Sequence, residues 1–155
     1  TAGIFRAFGM PAKYAKRGID ITPAFDPLRQ QYNSSYLLRA LLAQHLADAD
    51  KVLGIAEVDL FIPILTFVFG EAQLDGPGAI VSIHRLNNTF YGLPKNDALL
   101  AQRIVKESIH ELGHTFGLLH CSSPGCVLNS STYVEDIDQK SDTFCLQCQK
   151  QLHAT

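Results

Sequence analysis

The segment HELGHTFGLLH, residues 110–120, restricts this chain more than any other stretch of it. On a helix His110 and His114 stand one turn apart on one face, close enough to grip a single ion together. Glu111 adjoins them, and a carboxylate beside a zinc-bound water can accept its proton and later pass it to a leaving amine, which peptide-bond hydrolysis requires. Gly117 permits the left-handed backbone that ends a helix, so the chain swings back and presents His120 as a third ligand. Three histidines leave one coordination position open, which distinguishes a catalytic zinc from a closed structural one. A bare HExxH arises in many helices by chance, but chance does not supply the glycine three residues on and the third histidine three beyond it.

The flanking sequence provides the helix. Asn96 or Asp97 is placed to cap it, and Ala101, Val105, Ile109, Leu112 and Phe116 form an apolar stripe. Arg103, Glu107, His110 and His114 share the opposite face, and this polar face is expected to look onto open space. Upstream, the apolar spacing predicts a first strand over residues 4–8 and a loop marked by Pro23, Asp26 and Pro27. A helix then begins at Ser34 or Ser35, carries Leu37, Leu38, Leu41, Leu42 and Leu46, and ends near Asp50. Residues 52–58, 60–65, 66–69 and 79–83 read as strands, with Asp75-Gly76-Pro77-Gly78 as a turn that makes its neighbours antiparallel at a sheet edge. Residues 86–95 read as a second loop, and beyond Gly117 no long periodic element is visible.

Of the 155 residues, 46% are apolar, which suits one domain built on one core. Thirteen basic against 15 acidic residues leave a net charge of −2, without the basic excess that nucleic acid selects, so no nucleic-acid partner is expected and a zinc-ribbon nucleic-acid binder is disfavoured. No apolar run approaches a membrane span and the first residues lack a basic-then-apolar leader pattern, so a soluble, cytoplasmic chain without membrane contact is expected. No heptad repeat calls for an assembly, and a monomer is expected.

At every fixed position residues 110–120 resemble the metzincin signature HExxHxxGxxH. His120 is followed at once by Cys121, then by Cys126, Phe144, Cys145 and Cys148, and this narrower pattern resembles the archaemetzincins. The resemblance implies an α+β zincin fold: a twisted mixed β-sheet, a backing helix and the active-site helix (residues 1–117), then a small zinc-stapled C-terminal subdomain (residues 118–155). It also implies a peptide or protein substrate running antiparallel to an edge strand, for which residues 67–74 and 79–83 are candidates.

The cysteine spacing fits a four-thiolate structural zinc, so two zinc ions are expected; two disulfides or reduced thiols are the other reading. Cys121 beside His120 would couple the two metal sites mechanically. In function the expectation is a zinc-dependent peptidase with Glu111 as general base and acid; the alternative is a catalytically weak or inactive zinc-containing peptide-binding module. The chain departs from the family pattern at Leu128, where a methionine forms the turn beneath the zinc; leucine is close in volume and equally apolar. Tyr133 is offset from the position of an oxyanion-stabilising tyrosine and reads as a surface residue. His45, His84 and His153 are not expected to be ligands.

Overall fold

A computed structural model of the chain describes residues 1–44 and 48–154. Helix α1 (Ala2–Phe8) leads to a short helical turn at Thr22–Ala24, strands β1 (Phe25–Asp26) and β2 (Gln31–Asn33), and helix α2 (Ser34–Leu42). Strands β3 (Val52–Ala56), β4 (Leu60–Phe61), β5 (Gly70–Ala72) and β6 (Gly78–Ser82) follow. Turns at His84–Leu86 and Asn88–Tyr91 precede the long helix α3 (Asp97–Thr115), and short helices α4 (Val134–Gln139) and α5 (Leu146–Ala154) complete the order.

The strands form two small mixed sheets, β1-β2-β4 and β3-β6-β5. In the second, β6 is parallel to β3 and antiparallel to β5, and all five of its residues are buried. Its side chains alternate: Ile80 packs with Leu37 and Leu38 of α2, while Val81 turns to the opposite cluster with Leu100 and Ile104 of α3. The sheet is thus sandwiched between α2 and α3, an α+β arrangement with a backing helix. β5 is the edge strand. The Ser82 amide donates to Phe69 O at 2.8 Å and the Gln73 amide to Gly78 O at 3.0 Å. Antiparallel pairing alternates bonded with unbonded positions, so Gly70 and Ala72 turn their backbone groups toward the free edge.

Several sequence expectations change. Residues 4–8 belong to a helix, because Ile4, Ala7 and Phe8 meet one core at helical spacing together with Ile109, Leu128 and Phe144. α2 is capped by Asn33, whose Oδ1 accepts the Tyr36 amide at 3.0 Å, and it ends at Leu42 rather than near Asp50; Leu46 and His45 lie outside the described residues. Of residues 60–69 only β4 and an isolated Leu60–Val68 bridge are extended, since Pro63 lies in a turn closed by the Leu65 amide on Ile62 O. Residues 79–83 contribute the central strand, not the edge.

Candidate active site

α3 begins where Asn96 Oδ1 accepts the Leu99 amide at 3.0 Å, and it stops after Thr115 with Gly117 at φ 82°, the left-handed turn the sequence anticipates. Its polar face is not open to solvent. Arg103 is buried, paired through two nitrogens with Asp138 at 2.7 and 2.8 Å, and donates to Leu86 O and Asn88 Oδ1. Glu107 is buried against Lys140, whose Nζ lies 2.9 Å from Oε1. Oε1 accepts no aligned hydrogen bond, so charge rather than hydrogen-bond geometry carries that contact. The open-space expectation fails because the loop around residues 127–129 and the segment after α4 cover this face.

His110, His114 and His120 converge at the C-terminal end of α3, with one ligand nitrogen from each within 4.8 Å of the others. His110 Nδ1 lies 2.8 Å from Val127 O and His114 Nδ1 lies 2.7 Å from Leu118 O. A carbonyl only accepts, so each Nδ1 carries the proton and each Nε2 keeps its lone pair. Those two lone-pair nitrogens face each other at 3.1 Å, an arrangement that calls for a shared cation; zinc with bonds of about 2.0 Å places tetrahedral nitrogens about 3.3 Å apart. Burial lowers the pKa of all three imidazoles, that of His110 most, and Lys140 nearby adds to this at each of them, so they are neutral and ready for a metal.

Glu111 is 7% exposed, and burial, followed by the Glu107 carboxylate, pushes its pKa well above the ordinary carboxylate value against the opposing pull of Lys140. Gly70 of β5 lies directly over it: a Cβ there would stand 2.8 Å from Glu111 Cγ and 2.6 Å from Ile80 O. Leu128 is fully buried below and closes on the backbone of Gly113, where a Cβ would meet Leu128 Cδ2 at 3.0 Å. Leucine therefore fills the floor that the family pattern gives to methionine.

The four cysteines form a second cluster with their Sγ atoms within 4.8 Å of one another, Cys121 to Cys145 at 3.8 Å and Cys126 to Cys148 at 4.0 Å. A disulfide would require about 2.05 Å, and none joins them. Zn–S bonds of about 2.3 Å give a tetrahedral edge near 3.8 Å, so this donor set fits zinc. The two clusters are tied through the backbone: the Cys121 amide donates to Leu128 O at 3.0 Å, and Asn129 Nδ2 donates to Cys121 O at 2.7 Å.

His84 meets the Phe90 ring edge-on, Tyr133 is exposed, and among the described residues neither these nor His153 joins a donor cluster. Sequence reasoning did not single out Lys140 or Gly70 and read Glu107 only as part of a solvent-facing surface. Lys140 lies 30 residues from His110 without a local signature. Gly70, directly after the apolar run 67–69, was legible only as a place of close backbone approach.

Residues 20–154 match peptidase family M54. The archaemetzincin of Methanocaldococcus jannaschii is 43% identical over 145 residues, which cover 94% of this chain and 78% of that protein. The archaemetzincin of Thermococcus kodakarensis is 40% identical over 151 residues, 90% of this chain and 81% of that one. Among solved structures, the archaemetzincin of Methanopyrus kandleri superposes with a TM-score of 0.78 at 40% identity, covering 86% of this chain and 70% of its own. A zinc-dependent peptidase from Methanocorpusculum labreanum gives 0.85 at 36% identity over 97% of this chain and 90% of its own. The converging histidines, the adjacent buried carboxylate, the edge strand above them and the thiol cluster below agree with these likenesses, and the chain belongs to peptidase family M54, the archaemetzincins, as a zinc metallopeptidase.

Proposed function

We propose that His110, His114 and His120 hold a catalytic zinc, that Cys121, Cys126, Cys145 and Cys148 hold a structural one, and that the chain cleaves peptide bonds with Glu111 as general base and then general acid. The observation that carries this reading is the pair of Nε2 lone pairs facing each other at 3.1 Å beside a buried carboxylate. A zinc ion bound there supplies Lewis-acid polarisation of the scissile carbonyl and an acidified water. The residues do the rest. Val127 and Leu118 carbonyls fix the imidazole tautomers, Glu111 takes a proton from water and returns it to the leaving amine, and Gly70 leaves room for that carboxylate beneath the edge strand. The free backbone groups of Gly70 and Ala72 accept an extended peptide as an added antiparallel strand. In this arrangement residues 1–117 form the upper wall of the cleft, and residues 118–155 the lower.

The test is digestion of a diverse peptide library by zinc-loaded protein beside its Glu111→Ala variant, read by mass spectrometry. Cuts by the parent that fall by about 100-fold or more in the variant are the expected result. Absence of cuts from a protein confirmed to hold zinc on its histidines would instead favour a peptide-binding module.

A further inference from the structure

A cavity of about 710 Å³ adjoins His120 on one side of the cleft, between the β5–β6 turn, the segment after α3 and helix α5. Leu74, Phe116 and Leu119 give it apolar walls, and Gln147 and Gln151 of α5 line the far side. Among the described residues that line it, Asp75 carries the one carboxylate. The Asp75 amide donates to His114 O at 2.9 Å, which anchors the residue to the end of α3, and its backbone adopts φ 51°. Its carboxylate stands over Gly117, where a Cβ would meet Oδ1 at 3.8 Å. Among the described residues no hydrogen bond or ion pair reaches that carboxylate. The neighbouring ammonium of Lys51 is engaged elsewhere, on Thr115 O at 2.7 Å and Gly76 O at 2.9 Å, and sits 4.8 Å from the Phe116 ring centre.

We infer that this cavity is a subsite for a cationic nitrogen on the amino side of the scissile bond, with Asp75 as its counter-ion. The inference rests on the proposed antiparallel seating of the peptide along β5. Gly70 marks the reacting centre because it touches Glu111, and the chain then runs from Gly70 through Ala72 to Asp75. An antiparallel peptide runs the other way, so its residues beside Asp75 precede the cut. The apolar walls suit the methylene stem of lysine or arginine while the head reaches the carboxylate. The peptide's own α-ammonium presents the same charge. Cys121 and Cys148 also line the cavity, and four thiolates around one zinc would carry a net negative charge, which would favour a cation in either case.

The test uses the full zinc-loaded chain with Glu111→Ala, which binds without turnover, and C-terminally dye-labelled heptapeptides. These carry lysine or norleucine at each position in turn, each with a free or an acetylated amino terminus. Affinity is read by fluorescence anisotropy. About fivefold tighter binding of one cationic series is expected, weakening with salt and lost when Asp75→Asn is added. Asparagine keeps the anchoring amide and tolerates the left-handed backbone, so the fold is preserved. A preference that survives acetylation assigns the subsite to a side chain; one abolished by acetylation assigns it to the α-ammonium. Equal binding of lysine and norleucine peptides without an effect of acetylation, or a cationic preference unchanged by Asp75→Asn, would overturn the inference. Failure of the parent protein to cut peptides that the variant binds with this preference would defeat the peptidase mechanism while leaving the subsite standing.

Discussion

At the scale of single residues, the site is assembled from groups whose alternatives are blocked. His110 and His114 have their Nδ1 atoms committed to carbonyls, so rotation or tautomer exchange would break a hydrogen bond, buried at His110 (2.8 Å) and part-buried at His114 (2.7 Å). Among the described residues no comparable hydrogen bond holds Glu111, which fits beneath β5 only because Gly70 has no side chain. Gly70→Ala is therefore expected to displace either the Glu111 carboxylate or the β5–β6 pairing, costing about 1–3 kcal/mol of stability. Peptide cleavage should fall further than zinc content, since the histidines lie on other elements. Denaturant melts and metal analysis on the same preparation check this; full activity with a bound zinc would show that Glu111 has more freedom than the packing implies. Leu128 is fully buried, and its departure from the methionine pattern conserves side-chain volume.

At the scale of elements, α3 serves as both scaffold and active-site wall. It crosses under β5 and β6, packs Val105 against Gly3 of α1, and is pinned on its polar face by Arg103–Asp138 and Glu107–Lys140. Lys140 also donates to Asn129 O at 3.1 Å, so one buried ammonium joins the helix to the turn that supports His110. Lys140→Met leaves Glu107 buried without its counter-ion and is expected to cost about 3–5 kcal/mol; adding Glu107→Leu should recover most of that loss. Thermal or urea melts of Lys140→Met, Glu107→Leu and the double variant decide it, and additive losses in the double variant would contradict the pairing. Within α3 and residues 117–121 the sequence was readable because cap, stripe, ligand spacing and terminating glycine all act over a few residues. The convergence of His110, His114 and His120 and the β5–β6 turn were legible for the same reason. The ion pair was not, because its partners are 33 residues apart and meet only after the C-terminal segment folds back. Residues 4–8 misled because so short an apolar run fits either period; the core of Phe116 and Phe144 around Phe8 decides for a helix. Strands 60–65 and 66–69 were overread for a related reason, as apolar residues around Pro63 look extended although Ile64 and Leu65 are exposed at a turn.

At the scale of the whole molecule, the histidine cluster and the cysteine cluster share one short segment, His120–Cys121, and the Cys121 amide is bonded to the carbonyl of Leu128. The irregular C-terminal segment gathers Cys126, Val127, Leu128, Phe144 and Cys148 in a core shared with Ile109, so a metal on the thiols would complete that packing and steady the third histidine. No helix among the described residues is long and apolar enough to cross a membrane. The central claim, that one chain carries two zinc centres of different character coupled through residues 120–128, is tested most directly by native mass spectrometry of the zinc-loaded protein and two variants. Two zinc ions are expected in the parent protein, one in His114→Ala and one in Cys148→Ser, with the remaining ion of Cys148→Ser released to a chelator faster than the catalytic ion of the parent. A parent protein that holds a single zinc, or a Cys148→Ser variant whose histidine-bound zinc leaves no faster, would contradict it.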